Sequence, residues 1–182
     1  MEFIRNLLSK IVYGGGVLFD LAKWIIFAFI VIILANTLWV SVFVVDGPSM
    51  EPNYHDREFV LWQKNGTGII YPRGKVVVLC YPGDPDKRKY VKRIIGLPGE
   101  RVDIYQGKVY INKKQLSENY IPPGVSTDPE GTWIVKDNEY FVLGDNRPVS
   151  NDSRYFGPVE TRFILGTSTA VILPRFMLAK DI

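Results

Sequence analysis

From Trp24 to Val45 the chain carries no charged residue, and only Asn36, Thr37 and Ser41 interrupt its apolar character. Wound as one α-helix, residues 24–45 reach roughly 33 Å, about the thickness of a bilayer's hydrocarbon core. Lys23 and Asp46 bracket the run. It is too long for the apolar region of a cleaved signal peptide, and no small-x-small site closes it. The sequence therefore predicts a permanent single-pass anchor over 24–45, a cytoplasmic segment over 1–23 and a domain over 46–182.

Charge sets the orientation. Arg5, Lys10 and Lys23 precede the run, against Glu2 and Asp20; Asp46, Glu51, Asp56 and Glu58 follow it, with only Arg57 basic nearby. A Lys/Arg excess marks the cytoplasmic side, so the C-terminal domain is expected across the plasma membrane, in contact with lipid at its anchor. Phe3, Ile4, Leu7, Leu8, Ile11 and Val12 recur at helical spacing before Gly14-Gly15-Gly16. That pattern fits a short interfacial helix or the frayed start of the anchor.

Beyond Asp46 the chain reads as β. Apolar and β-branched runs at 58–62, 75–81, 89–95, 101–105, 108–111, 132–135, 139–143 and 163–173 are separated by Gly, Pro and Asn turns. Residues 117–131 are polar and proline-bearing, a loop. Short strands at this spacing predict a mainly β fold, an antiparallel and partly closed domain behind one transmembrane helix. A net charge of +3, from 22 Lys and Arg against 19 Asp and Glu, gives no electrostatic footprint for nucleic acid. One cysteine, Cys80, and one histidine, His55, exclude an internal disulfide and argue against a zinc site, so no metal and no cofactor is expected.

Directly after the apolar run stands Asp46-Gly47-Pro48-Ser49-Met50-Glu51-Pro52. Pro48 and Pro52 keep this stretch out of a helix. Such a turn can present a serine nucleophile, which needs a group to take its proton. His55, among Asn53, Tyr54 and Asp56, reads as a solvated turn residue, so a Ser-His-Asp triad is not expected. Lysine is the other known partner, once burial has lowered its pKa from about 10.4. In Lys89-Tyr90-Val91-Lys92-Arg93-Ile94-Ile95, alternation puts Lys92 with Tyr90 and Ile94, and Arg93 with Val91 and Ile95. Which face is inside is not decided by the pattern. Arginine keeps its charge on either face, so only Lys92 can serve as a base.

Three stretches together resemble the signature boxes of type I signal peptidases. They are Gly47-Pro48-Ser49-Met50-Glu51-Pro52, Tyr90-Val91-Lys92-Arg93-Ile94-Ile95-Gly96-Leu97-Pro98-Gly99-Glu100, and Gly144-Asp145-Asn146-Arg147-Pro148-Val149-Ser150-Asn151-Asp152-Ser153-Arg154. The likeness runs from Trp24 to the last strand, with the boxes in the family's order. It implies a serine endopeptidase that removes signal peptides from secretory preproteins, cutting after small-x-small motifs through an acyl-enzyme. Ser49 then resembles the nucleophile, Lys92 the general base, and Ser150 a serine that hydrogen-bonds that lysine. Asp145, Asp152 and Arg154 resemble bracing residues, with Arg93–Asp145 and Asp152–Arg154 as the expected pairs. Some members draw a second oxyanion donor from a hydroxyl two residues before the nucleophile; Gly47 stands there, as in the Gram-positive branch. Val45, Tyr90 and Val91 are candidates for the substrate pockets and equally for the core. Asp84 to Lys89, with both charge signs, reads as an exposed turn.

Two other classes share some of these features. A self-cleaving repressor uses a Ser-Lys pair but needs a DNA-binding module, where this chain has an apolar run. A tethered, non-catalytic peptide-binding domain has no need of Ser49, Lys92 and Ser150 together.

Overall fold

The computed structural model describes residues 20–34, 40–64, 69–81, 83–86 and 88–173. The chain divides into two compact units, Met1–Val40 and Ser41–Ile182. In the first, residues 20–34 form helix α1, with Leu21, Trp24, Ile25, Phe27 and Ile30 all exposed on its surface. A helix apolar on every side has no water-facing stripe. At about 1.5 Å per residue α1 is roughly 22 Å long, and among the described residues no helix is long and apolar enough to cross a membrane. The helical pattern expected over 3–12 lies outside the described residues.

The expectation of one helix from 24 to 45 fails at its C-terminal end, where Val40–Val44 is strand β1. The reason is local chemistry plus a partner. Val-Ser-Val-Phe-Val is dominated by β-branched and aromatic residues, which favour extended backbone. Strand β2, Phe59–Lys64, lies alongside. Val45 N–H donates to the Glu58 carbonyl at 2.9 Å and Arg57 N–H to the Val45 carbonyl at 2.9 Å. Apolarity alone does not distinguish a membrane helix from such a strand.

The second unit is mainly β. Strands β3 (Val76–Cys80), β4 (Lys89–Gly96), β9 (Glu139–Leu143), β10 (Val159–Glu160) and β11 (Ile164–Leu173) complete a seven-stranded sheet in the order β1-β2-β11-β3-β4-β9-β10. A second sheet holds β5 (Arg101–Tyr105), β6 (Lys108–Ile111), β7 (Lys114–Gln115) and β8 (Gly131–Ile134) in the order β7-β6-β5-β8. The register pairings from β2–β11 to β4–β9 and within the smaller sheet are antiparallel, as expected. A single turn of helix, α2 (Ser153–Phe156), follows β9.

The centre of the unit is where β4 and β9 serve two cores at once. Ile94 and Val142 pack with Val77, Leu79 and Tyr140 on one side. Ile95, Phe141 and Leu143 pack with Val102, Ile104 and Val109 of the smaller sheet on the other. Neither face of β4 is a solvent face, so both alternating sets in its sequence are inside. Each such aliphatic side chain contributes about 1.5–3 kcal/mol by burial. A lysine on this strand is held among them.

Candidate active site

Ser49 is fixed by what flanks it. Met50 is fully buried against Val76 and Val91 and anchors the turn in the core. Tyr54 N–H and Asn53 N–H both donate to the Met50 carbonyl at 3.1 Å, closing the loop behind it. Gly47 has φ of 86°, a left-handed conformation costly for a residue with a Cβ, and its N–H donates to Asp56 Oδ1 at 2.8 Å. That geometry is a physical reason for glycine at this position.

The third box closes on this turn from the other side. Asn146 N–H donates to the Ser49 carbonyl at 3.1 Å, and Asn146 Nδ2 to the Pro48 carbonyl at 3.1 Å. The approach demands a residue without a side chain at 144. A Cβ on Gly144 would stand 2.5 Å from the Ser49 carbonyl oxygen and 2.1 Å from Ser150 Oγ. Asn53 adds a third tie, with Nδ2 donating to Asp145 Oδ2 at 2.9 Å.

Lys92 reaches the turn from β4. Its Nζ donates to Ser49 Oγ at 2.8 Å, and the side chain is 2% exposed. Burial is the main reason its pKa falls from 10.5 to about 8; Asp152 and Asp145 pull it back up, and Arg154 pushes it down. Those two carboxylates are engaged elsewhere. Arg93 grips Asp145 with two bonds, Nε to Oδ1 at 2.8 Å and Nη2 to Oδ2 at 2.6 Å, and stacks on Tyr120 at 4.2 Å. Arg154 grips Asp152 through Nε to Oδ1 at 2.8 Å and Nη2 to Oδ2 at 2.9 Å. Both pairs are those expected from the sequence.

Ser150 departs from expectation. It is buried, yet among the described residues its Oγ has no hydrogen-bond partner, so the expected bond to Lys92 is not made. Its carbonyl accepts from Arg154 Nη2 at 3.2 Å, and its hydroxyl lies over Gly144. Sequence reasoning also missed Arg147. That residue is 1% exposed, ion-paired with Glu118, and donates from Nε to the Gly144 carbonyl at 3.0 Å. Nothing local in the sequence links positions 118 and 147. His55 sits in its turn beside Glu58, Nδ1 to Oε1 at 3.2 Å.

A cleft of about 130 Å³ opens at the Ser49–Lys92 contact. Val45, Tyr90 and Val91 line it, as do Phe43, Asp46, Arg88 and Lys89. Val45 and Val91 are also core residues, 2% and 5% exposed, so they line the cleft and pack the interior at once. The adjoining stretch of β4 has an open edge. Residues 89–93 pair with β3, whereas the β9 register takes up Arg93, Ile94 and Gly96. Among the described residues, 89–92 thus carry a strand on one side only.

The family model "Signal peptidase, peptidase S26" matches residues 18–173. The chain is 40% identical to a signal peptidase I of Bacillus amyloliquefaciens, over 85% of this chain and 88% of that one. It is 39% identical to the signal peptidase I S of Bacillus subtilis, over 84% and 88%. The chain belongs to the signal peptidase S26 family. It is thereby a serine endopeptidase of that family. Among solved structures, a signal peptidase I from Enterococcus faecalis is 34% identical, with a TM-score of 0.48 covering 54% of this chain and 97% of that one.

Proposed function

We propose that this family member removes N-terminal signal peptides from secreted preproteins, using Ser49 as nucleophile and Lys92 as general base. The observation that carries the reading is the 2.8 Å contact between Lys92 Nζ and Ser49 Oγ. In the neutral amine the same contact runs the other way, with the serine hydroxyl donating to the lysine lone pair. Proton transfer to Nζ then accompanies attack of Oγ on the scissile carbonyl. The amine passes that proton to the leaving mature N-terminus, which leaves an acyl-enzyme on Ser49. Lysine, neutral again, takes a proton from the water that hydrolyses this ester and returns it to Ser49 Oγ as the acyl bond breaks, restoring both groups.

Negative charge develops on the carbonyl oxygen at each attack, and the Ser49 backbone N–H is the first donor we assign to it. Gly47 offers no second, because its own N–H is spent on Asp56 at 2.8 Å. The substrate would lie extended along the open edge of β4, adding a strand beside residues 89–92. Val45, Tyr90 and Val91 would then meet the small residues one and three positions before the cut. Arg93–Asp145 and Asp152–Arg154 hold the two signature loops in register, and Ser150 is assigned the orientation of Lys92 during turnover. Residues 1–23 are proposed as cytoplasmic, the apolar run that begins at Trp24 as membrane anchor, and the β domain beyond it as extracytoplasmic, with plasma-membrane lipid around the anchor.

The test is cleavage of a precursor carrying an Ala-x-Ala signal peptide in lipid or detergent near pH 8. Wild type releases the mature N-terminus, while folded Ser49→Ala and Lys92→Met lose about a thousandfold or more in rate. Variants that cut as well as wild type would sink the assignment.

A further inference from the structure

The β3–β4 connection is the exposed turn its charges suggest at Pro85, Asp86, Arg88 and Lys89, but Asp84 within it is only 5% exposed. Among the described residues, its side-chain contacts are made within the same hairpin. Oδ2 accepts from Tyr90 Oη at 2.8 Å and from Arg88 Nε at 2.9 Å. Oδ1 accepts from the Asp86 N–H at 3.1 Å and from Arg88 Nη2 at 3.3 Å. Two of these partners, Tyr90 and Arg88, line the cleft that holds Ser49 and Lys92.

Tyr90 is consequently held at both ends. Its backbone is fixed opposite Leu79 in the β3–β4 register, and its hydroxyl is fixed by Asp84. Between those points the ring stands 5.8 Å from Lys92 Nζ, centroid to nitrogen, as a wall of the cleft. A wall with free side-chain torsions yields to a bulkier guest; a wall pinned at its far end does not.

We propose that Asp84 is a positioning residue for substrate selection: it locks Tyr90, with Arg88, so that the cleft beside Ser49 stays narrow. The proposal rests on the peptidase reading above and names the source of its small-residue preference. Asp84 touches no reacting atom. An apolar pocket distinguishes substrates differing by one methylene by only about 10–200-fold, so the discrimination depends directly on how far the wall can move.

The experiment compares kcat/KM for precursors identical except for alanine, valine or leucine at the residue before the cut, using the full chain in lipid. Wild type prefers alanine. Asp84→Ala and Tyr90→Phe each shrink the alanine-to-leucine ratio by about tenfold, and the double variant shrinks it no further, because one contact is lost in all three. Asp84→Asn, which keeps an acceptor for the Tyr90 hydroxyl, retains most of the ratio. A merely structural Asp84 would lower the rate on every precursor alike and leave the ratio intact; that result in folded variants overturns the proposal. Should Asp84→Ala fail to fold, Tyr90→Phe, which removes a single oxygen, carries the test. A wild type inert on all precursors overturns the peptidase reading and this proposal together, whereas an active wild type with an insensitive ratio overturns only this one.

Discussion

Two kinds of buried base lie within one site, and they are treated oppositely. Arg154, whose side chain is 1% exposed, meets both oxygens of Asp152, and Arg147, whose side chain is fully buried, is ion-paired with Glu118. Lys92 is buried as deeply, yet among the described residues no carboxylate is in ion-pair contact with it; its polar partner is the Ser49 hydroxyl. Guanidinium groups cannot shed their proton, so the fold must bring them counter-charges. An amine can shed its proton, and burial without a counter-charge drives it to do so. The difference separates residues that hold the site from the one that can exchange a proton in it.

The comparison breaks first at the paired bases. Arg154→Ala leaves Asp152 charged and uncompensated in the interior, and costs about 3–5 kcal/mol in denaturant unfolding. A loss below about 1 kcal/mol would mean that the pair is not what holds the loop.

Lys92 should behave in the reverse sense. Its native pKa of about 8 lies below the unfolded value of 10.5, so between those values the unfolded chain binds more protons. Wild-type stability therefore rises as pH goes from 8 to 10.5, and the cost of the buried amine is fully present below pH 8. Lys92→Met removes that cost: it should be more stable than wild type at pH 7 by on the order of 3 kcal/mol, the gap closing toward pH 10.5. Equal melting curves at pH 7 would show that Lys92 is solvated. An inactive variant that is also the more stable one is the signature of a functional group placed against the fold's preference.

Gly144→Ala sharpens the same contrast without touching a charge. The added Cβ meets the Ser49 carbonyl at 2.5 Å, and backbone must move to relieve it. A loss of about 1–3 kcal/mol is expected, together with slower cleavage as the two signature loops separate. Full activity would mean that the loop approach is slack.

Ser150→Ala gives the smallest stability effect. Its buried Oγ has no partner among the described residues, so removing it changes stability by less than about 1 kcal/mol, toward stabilisation. Cleavage should nonetheless fall, if Ser150 orients Lys92 during turnover. Unchanged kcat would remove Ser150 from the mechanism.

Much of this was legible in the sequence. The strands of the central sheet alternate or run apolar between Gly/Pro turns, and the three boxes carry Ser49, Lys92 and both bracing pairs. What was hidden has physical causes. Val40–Val44 continues an apolar run, and only a partner strand distinguishes it from helix. Asp84 stands in a charged loop, where burial is decided by Tyr90 and Arg88 folding back on it. The Arg147–Glu118 pair joins residues with no sequence pattern in common, across a loop that looks merely polar. Side-chain hydroxyls were least readable of all: Ser150 is in the box, but the box does not say that its Oγ lies over Gly144 with no partner among the described residues.

The pH dependence of kcat/KM on an Ala-x-Ala precursor, from pH 6 to 10, tests the central claim most directly. A buried lysine acting as base predicts a tenfold rise per pH unit that levels off with a midpoint near 8. A profile that is flat across this range, or one still climbing toward the ordinary lysine value of 10.5, would contradict it.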